Sequence, residues 1–354
     1  MPETFREAYA SLTGFVSRHP EIEIGESVVA IPEPVRGDFY ALFNSARRAL
    51  VGEKFSAFVQ ASEILAANYR RAEQSVSRLI TFEETTLVDA VRRFVTDPVD
   101  SLSRPLFDPL FDLLKGKESV GSFEQKAALA IESAAPALWR GGYERWAALA
   151  IVCLLEPDAA FRVPVRRLSP GERAKSMLHA PADEVPGPEA SSSFLFAQPR
   201  EAIFSVPDFI VHSPALAGCV GIRSECRAGL YHAANRSPSR EWMPIEPGLL
   251  AALEGGLTLC YRAPDAESIA LVADVGSFCR PDLALWCLGP GPDPEPGQAR
   301  RIARIHARLR PRAGSLVIGP DGPAVPEDPG IRALAAGFEP DRLRAVVEAL
   351  RDLK

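Results

Sequence analysis

Apolar residues recur at helical spacing over roughly the first 155 residues, which predicts a series of amphipathic helices. Segments 81–84 (TFEE) and 122–125 (SFEQ) fit capping boxes, in which a hydroxyl and a later acid or amide bond reciprocally to free backbone amides. A further apolar helix follows Gly142 and is expected to end before Pro157, because the residue before a proline disfavours helix. The first helix would bury one face, made of Phe5, Ala8, Tyr9, Leu12, Phe15 and Val16.

The most regular pattern lies at positions 55–79. Spacings of three and four alternate there without interruption, through Phe55, Phe58, Ser62, Leu65, Tyr69, Ala72, Val76 and Leu79. This seam predicts one straight helix of roughly 40 Å at 1.5 Å per residue. Its apolar partner is either another helix of the same domain or the same helix of a second chain in a dimeric coiled coil. Packing within the domain is favoured, because several seam residues are small or polar.

The rest of the chain loses the helical period and gains short runs typical of strands. Residues 159–197 are rich in proline, which indicates a linker or a wrapping loop. Beyond them, seven apolar runs such as FIVHS, LTLCYRA and LALWCL precede or alternate with two helices, at about 298–310 and from Pro340 to the C-terminus. The strand–helix–strand–helix order from 283 onward implies a right-handed parallel crossover, while the earlier hairpins imply antiparallel pairs.

The sequence therefore predicts an α+β protein of two domains. Residues 1–158 would form an N-terminal all-α helical bundle, and residues 159–197 a proline-rich linker or wrapping loop. Residues 198–354 would form a C-terminal mixed α/β domain with a central mixed sheet.

The composition is that of an ordinary soluble globular protein. The chain has 354 residues, 47% hydrophobic positions, 24% charged positions and a net charge of −6, so no global basic field would attract nucleic acid. The N-terminal segment lacks the apolar core of a signal peptide, and no apolar run approaches the roughly 20 residues that span a bilayer. The six cysteines are scattered without CxxC spacing. We therefore expect free thiols, a cytoplasmic location and no contact with a membrane.

The stretch SVPDFIVHSPALAGCVGIRSECR resembles the PD-(D/E)xK motif of metal-dependent nucleases. If its two strands pair as a hairpin, Asp208 and Glu225 would meet at one end and could share a divalent cation. The lysine of the motif, however, is replaced by Arg227, and no lysine occurs between Lys175 and the C-terminal residue. Arginine stays protonated and is not a conservative replacement for lysine. Pro-Asp pairs also occur seven times in the chain, so the motif carries little weight.

A second pair of acids, Asp274 and Asp282, flanks the loop in ADVGSFCRPDLALWC. Asp274 closes one predicted strand and Asp282 opens the next, and loops at strand ends are frequent ligand sites in α/β sheets. The plainer interpretation is a turn in which each acid bonds to nearby backbone amides. If this domain holds a catalytic or metal site, the candidates are Asp274 and Asp282 first, then Asp208, Glu225 and Arg227.

The predicted helix at 298–310 carries several arginines and no acid. Ile302, Ile305 and Leu309 would form its buried face. The basic patch left on another face consists of Arg300, Arg304 and Arg308. Such a patch can bind the phosphates of nucleic acid, although more often it is simply a solvated helix face.

Signatures of common enzyme classes are missing, since the sequence has no P-loop, no HExxH and no GxSxG. The leading hypothesis is a non-catalytic intracellular interaction or regulatory protein that binds another protein and needs no cofactor. Nucleic acid is the other partner considered, through the basic patch. The alternative is a metal-dependent nuclease or phosphodiesterase with a degenerate site that uses Mg²⁺ or Mn²⁺. The two hypotheses differ in whether Asp208, Glu225, Asp274 and Asp282 converge within reach of one cation.

Overall fold

The structure, a computed structural model, describes most of the chain. The described residues are 4–26, 28–81, 83–162, 187–196, 207–224, 242–244, 256–269, 277–289, 297–323 and 325–353. The chain divides into two compact units, one of residues 1–67 with 89–139 and the other of residues 68–88 with 140–354. The N-terminal region is helical and the C-terminal region contains a mixed sheet with helices. The predicted α+β class is confirmed, while the predicted boundaries at 158 and 198 stay predictions.

Helices form most of the first unit. The first of them, α1 (Phe5–Arg18), begins with a capping box in which the hydroxyl of Thr4 accepts from the Glu7 amide and the Glu7 carboxylate accepts from the Thr4 amide. A short antiparallel pair of strands, β1 (Glu23–Ile24) and β2 (Val29–Ala30), leads into α2. The other helices of the N-terminal region are α2 (Glu33–Lys54), α3 (Ser56–Leu79), α4 (Asp89–Thr96), α5 (Pro98–Ser103), α6 (Phe107–Leu114) and α7 (Val120–Leu154).

The seam predicted at 55–79 coincides with α3 and is buried within the single chain. Its buried residues are Ser62, Leu65, Tyr69, Ala72 and Val76. Only the ends of the seam meet solvent, where Phe55 and Phe58 are half-buried and Leu79 is 43% exposed. The prediction that the seam packs within the chain is therefore confirmed.

Both predicted capping boxes were wrong. Residues 84–86 form the strand β3 (Glu84–Thr86), and the next helix begins at Asp89, because Thr85 and Thr86 are β-branched and favour a strand that has a partner. The second helix starts before Ser122: the hydroxyl of Ser119 accepts from the Ser122 amide and caps α7. α7 then runs through Gly142 without a break to Leu154, so the two helices predicted in this region are one.

A mixed sheet of eight strands forms the centre of the second unit. Its strands are β4 (Ala159–Arg162), β5 (Glu189–Ala190), β7 (Phe209–Ser213), β8 (Gly218–Arg223), β10 (Leu257–Ala263), β12 (Leu283–Cys287), β13 (Ser315–Gly319) and β14 (Ile331–Ala335). They lie in the order β14-β13-β12-β10-β8-β7-β4-β5. The β12–β13 and β13–β14 pairs are parallel, and the other pairs are antiparallel.

Two smaller sheets accompany the large one. β3 pairs in parallel with β6 (Ser193–Leu195), and β9 (Trp242–Pro244) pairs antiparallel with β11 (Ser277–Cys279). The described residues of the predicted 159–197 linker thus include the strands β4, β5 and β6.

Helices cover both faces of the large sheet. The predicted crossover is present as α8 (Gln298–Leu309), which joins the parallel strands β12 and β13. Ile302 and Ile305 of α8 pack in one apolar cluster with Leu259 and Trp286 of the sheet. Because side chains alternate along a strand, Thr258 points to the opposite face, where it bonds to a side chain of α7. The last helix, α9 (Arg344–Arg351), follows a 3₁₀ turn.

Two further findings concern the helices and the cysteines. Within the described ranges, no helix combines the length and the apolar character that crossing a bilayer requires. The described cysteines are free thiols, namely Cys153, Cys219, Cys260, Cys279 and Cys287. The expectation of free thiols is confirmed for these five.

Candidate functional site

Asp208, the first acid of the nuclease-like stretch, lies immediately before β7 and is buried. Its Oδ2 accepts hydrogen bonds from the backbone amide and from the hydroxyl of Ser224, each at 2.6 Å. Burial raises the pKa of this carboxyl group to about 6, although Arg223 and the Ser224 bonds favour the charged form. The carboxylate therefore joins the start of β7 to the end of β8.

Asp282, the acid preferred as a site residue, is also buried and also bonded within the fold. Its Oδ2 accepts from the backbone amide of Arg262 at 2.6 Å, and its Oδ1 accepts from Nη1 of Arg312 at 3.1 Å. Its backbone carbonyl accepts from the Ala313 amide at 2.8 Å. Asp282 thus ties β10 and the start of β12 to the turn that follows α8.

The structure does not bring Asp208 and Asp282 together. β8 and β10 lie between β7 and β12, so the two acids stand three interstrand spacings apart, roughly 14 Å at about 4.8 Å each. Two carboxylates that share Mg²⁺ must each place an oxygen about 2.1 Å from the metal. Glu225, Arg227 and Asp274 lie outside the described residues. Among the residues that are described, no group of three or more His, Cys, Asp or Glu side chains could hold a metal ion.

A buried pair of opposite charges lies on α7, and sequence reasoning missed it. The side chains of Glu144 and Arg145 are 0% and 1% exposed. Oε2 of Glu144 accepts from Nη1 of Arg145 at 2.9 Å, and its Oε1 accepts from the Thr258 hydroxyl at 2.8 Å. The pair could have been found, because it holds the only charges between positions 143 and 155 of an otherwise apolar run.

The buried charges near this pair compensate one another. Arg145 and Arg223 both lower the pKa of Asp208 electrostatically, so the charges act on each other across α7, β7 and β8. Two buried acids, Glu144 and Asp208, are thereby matched by two buried arginines. A cation site needs an excess of negative charge, which these four residues do not supply. The bond between Glu144 and Thr258 joins α7 to β10.

The basic patch lies on α8, as the sequence predicts. Arg300 and Arg304 are exposed, and Arg308 is half-buried. Ile302, Ile305 and Leu309 form the buried face of the helix, as expected. Contact between the patch and nucleic acid stays a prediction.

The first unit holds an open groove of about 480 Å³, which sequence reasoning did not anticipate. We call it the α2–α6 groove. Its lining residues are Val29, Ile31, Arg36, Tyr40, Asp108, Phe111, Asp112 and Lys115. Three separate segments contribute to it, namely β2 with the residue after it, α2, and α6 with the residue after it, and this explains why no local pattern marked it.

Two aromatic residues of the groove lining pack against other rings. Tyr40 and Phe111 belong to an aromatic cluster on α2 and α6, in which the Phe111 ring lies 4.5 Å from that of Phe43 and the Tyr40 ring 5.3 Å from that of Phe39. Val29 and Ile31 complete the apolar lining. These four residues give the groove apolar contact area beside its charged residues.

The charged residues of the groove differ in their partners. Arg36 donates to the carbonyl of Ile31 at 3.2 Å, and Asp112 forms an ion pair with Lys117 at 3.2 Å. Asp108 and Lys115, in contrast, form no ion pair with any other residue of the described chain. These two charges are available to a ligand.

Comparison with known proteins returns no family model, no curated protein and no solved structure that matches the chain.

Proposed function

We propose that this protein is a non-catalytic intracellular interaction protein that binds a partner protein through the α2–α6 groove. The observation that carries the proposal is the groove itself, with aromatic and aliphatic residues in its lining and two charges, Asp108 and Lys115, that have no ion-pair partner in the described chain. Its volume of about 480 Å³ lies within the range of roughly 300–1,000 Å³ that is usual for ligand sites. It can take a few side chains of a partner.

The alternative, a metal-dependent nuclease or phosphodiesterase, has less support. Asp208 and Asp282 both serve the fold through hydrogen bonds, and they stand at different strand starts. Incubation of the protein with single- and double-stranded DNA and RNA, with Mg²⁺ or Mn²⁺, tests this alternative. Cleavage that disappears in Asp282→Asn or Asp208→Asn would favour the nuclease over the binding protein.

We also propose a cytoplasmic location. The described cysteines are all free thiols, and proteins of oxidising compartments usually pair their cysteines.

A random peptide library displayed on phage tests the binding function. We expect the full chain to enrich peptides that lose binding to Val29→Arg, which places a long charged side chain in the groove. Val28→Arg is the matched control, because Val28 is the adjacent residue, is 54% exposed and does not line the groove. The proposal would be contradicted if the enriched peptides bound the wild type, Val29→Arg and Val28→Arg equally, or if no peptide were enriched.

A further inference from the structure

The two available charges of the α2–α6 groove have a defined separation. Asp108 and Lys115 lie seven positions apart, on α6 and at the residue that follows it. Seven residues are two helical turns, so the two residues lie on one side of the helix and about 10 Å apart along its axis. A ligand that pairs with both must carry opposite charges at a similar separation.

The spacing of the two charges fits an extended ligand. An extended chain in the polyproline II conformation rises about 3.1 Å per residue with three residues per turn, so residues i and i+3 lie on one side about 9 Å apart. In a β-strand, residues i and i+3 would point to opposite faces.

The aromatic residues of the lining suit the same conformation. The Tyr40 ring lies nearly parallel to that of Phe107, at an interplanar angle of 12° and a centroid distance of 6.4 Å, and perpendicular to that of Phe39. A ring held in this way offers a fixed apolar face to a proline or an aliphatic side chain. Grooves lined by aromatic residues are the usual receptors of polyproline II segments.

We propose that the α2–α6 groove binds an extended, proline-containing segment of a partner protein, in the polyproline II conformation. The segment carries a basic and an acidic side chain three positions apart. The basic side chain pairs with Asp108, the acidic one pairs with Lys115, and an apolar residue between them contacts Tyr40. This inference rests on the proposed function, since it names the class of partner that the same groove takes.

Four fluorescent peptides test the inference by anisotropy with the full chain. APRPLDPA has the proposed charges and spacing, APRPLRPA and APDPLDPA have like charges, and APRPLPDPA moves the acid one position further. We expect the first peptide to bind about three- to tenfold more tightly than the other three, since each of the others loses or reverses one exposed ion pair.

Charge reversal on the protein provides the matching experiment. We expect Asp108→Lys to prefer the peptide with two acids and Lys115→Glu to prefer the peptide with two basic residues. Glu63→Lys makes the same change of charge on an exposed position of α3 outside the groove, and it should leave the preference of the wild type unchanged. Circular dichroism confirms that the variants are folded.

The outcomes separate this inference from the proposed function. If the four peptides bind equally, or none binds, while library peptides still depend on Val29, the groove binds a partner but the proposed class is wrong. The proposed polyproline II class would also be wrong if library peptides that lose binding to Val29→Arg were helical when bound. If neither the four peptides nor any library peptide depends on the groove, both the inference and the proposed function fail.

Discussion

Asp208 accepts two hydrogen bonds of 2.6 Å from one residue, Ser224, whose backbone amide and hydroxyl both donate to the same carboxylate oxygen. The bonds join the start of β7 to the end of β8 inside the protein. Burial nevertheless raises the pKa of Asp208 from 3.8 to about 6. Burial therefore disfavours the charged form of this carboxyl group more than its hydrogen bonds favour it. Because the pKa differs between the folded and the unfolded chain, the stability of the fold depends on pH.

The first prediction concerns this pH dependence. Between about pH 4 and pH 6, the folded protein keeps a proton on Asp208 that the unfolded chain has released, so the contribution of Asp208 to the free energy of unfolding falls as the pH rises. We expect the free energy of unfolding of the wild type, minus that of Asp208→Asn, to fall by about 2 kcal/mol across this window. Urea denaturation at pH 4, 5, 6 and 7 measures it.

The control for this prediction is Asp341→Asn, which makes the same substitution at an exposed aspartate near α9. The fall across the same pH values should be larger for Asp208→Asn than for this exposed site. An equal or absent fall for Asp208→Asn would show that burial does not raise the pKa of Asp208.

The second prediction concerns Asp282. Asp282→Ala leaves the part-buried amide of Arg262 without its side-chain acceptor and removes a buried carboxylate, which should lower the free energy of unfolding by about 1–3 kcal/mol. Arg312→Ala removes only the partly exposed donor of the second bond and should cost about 1 kcal/mol or less. Thermal melting of both variants measures these costs.

The same experiment addresses metal binding by Asp282. Because a ligand that binds the folded state raises its stability, a cation held by Asp282 would stabilise the wild type more than Asp282→Asn. We expect millimolar Mn²⁺ to shift the melting temperatures of both proteins equally. A larger shift for the wild type would restore the metal-site hypothesis.

The elements that could be predicted from sequence are those that local periodicity determines. The α3 seam was predicted correctly because spacings of three and four continue through Leu65, Tyr69 and Val76 with no competing signal. The strand β3 was missed because it pairs with β6, which lies more than a hundred positions further along the chain. A pairing partner at that distance leaves no local pattern, whereas TFEE resembles a helix cap.

The candidate site could be predicted only in part, for the same physical reason. Asp282 was interpreted as an acid that bonds to nearby backbone amides in a turn, but its side chain accepts from the distant amide of Arg262, and Asp208 likewise accepts from the distant amide of Ser224. The α2–α6 groove depends on the packing of three segments. Periodicity along any one of them predicts which residues are buried, and it does not predict the space that remains between them.

The third prediction concerns the buried pair on α7. Glu144→Ala leaves the guanidinium of Arg145 and the hydroxyl of Thr258 without this carboxylate, and we expect it to lower the free energy of unfolding by about 3–5 kcal/mol. Thr258→Val removes one neutral donor and should cost about 1 kcal/mol. Urea denaturation of both variants and of the double variant completes the cycle. Strictly additive costs would show that the hydroxyl and the carboxylate are not coupled.

The fourth prediction compares two glycines replaced by alanine. Gly314 has a φ of 87°, and a Cβ there would lie 2.6 Å from the carbonyl oxygen of Gly330, which also accepts from the Ser315 amide. Gly314→Ala should therefore lower the free energy of unfolding by about 1–3 kcal/mol, through backbone strain and displacement of β14 from β13. Gly52 lies inside α2, where a Cβ would meet nothing within 4 Å, so Gly52→Ala should raise it by about 0.5–1 kcal/mol. The two changes in the free energy of unfolding should therefore have opposite signs. At Gly52 only the gain in helix propensity acts, whereas at Gly314 only the backbone strain and the displaced strand act. Urea denaturation followed by circular dichroism measures both changes, and a stabilising Gly314→Ala would contradict the close approach of the backbone at that turn.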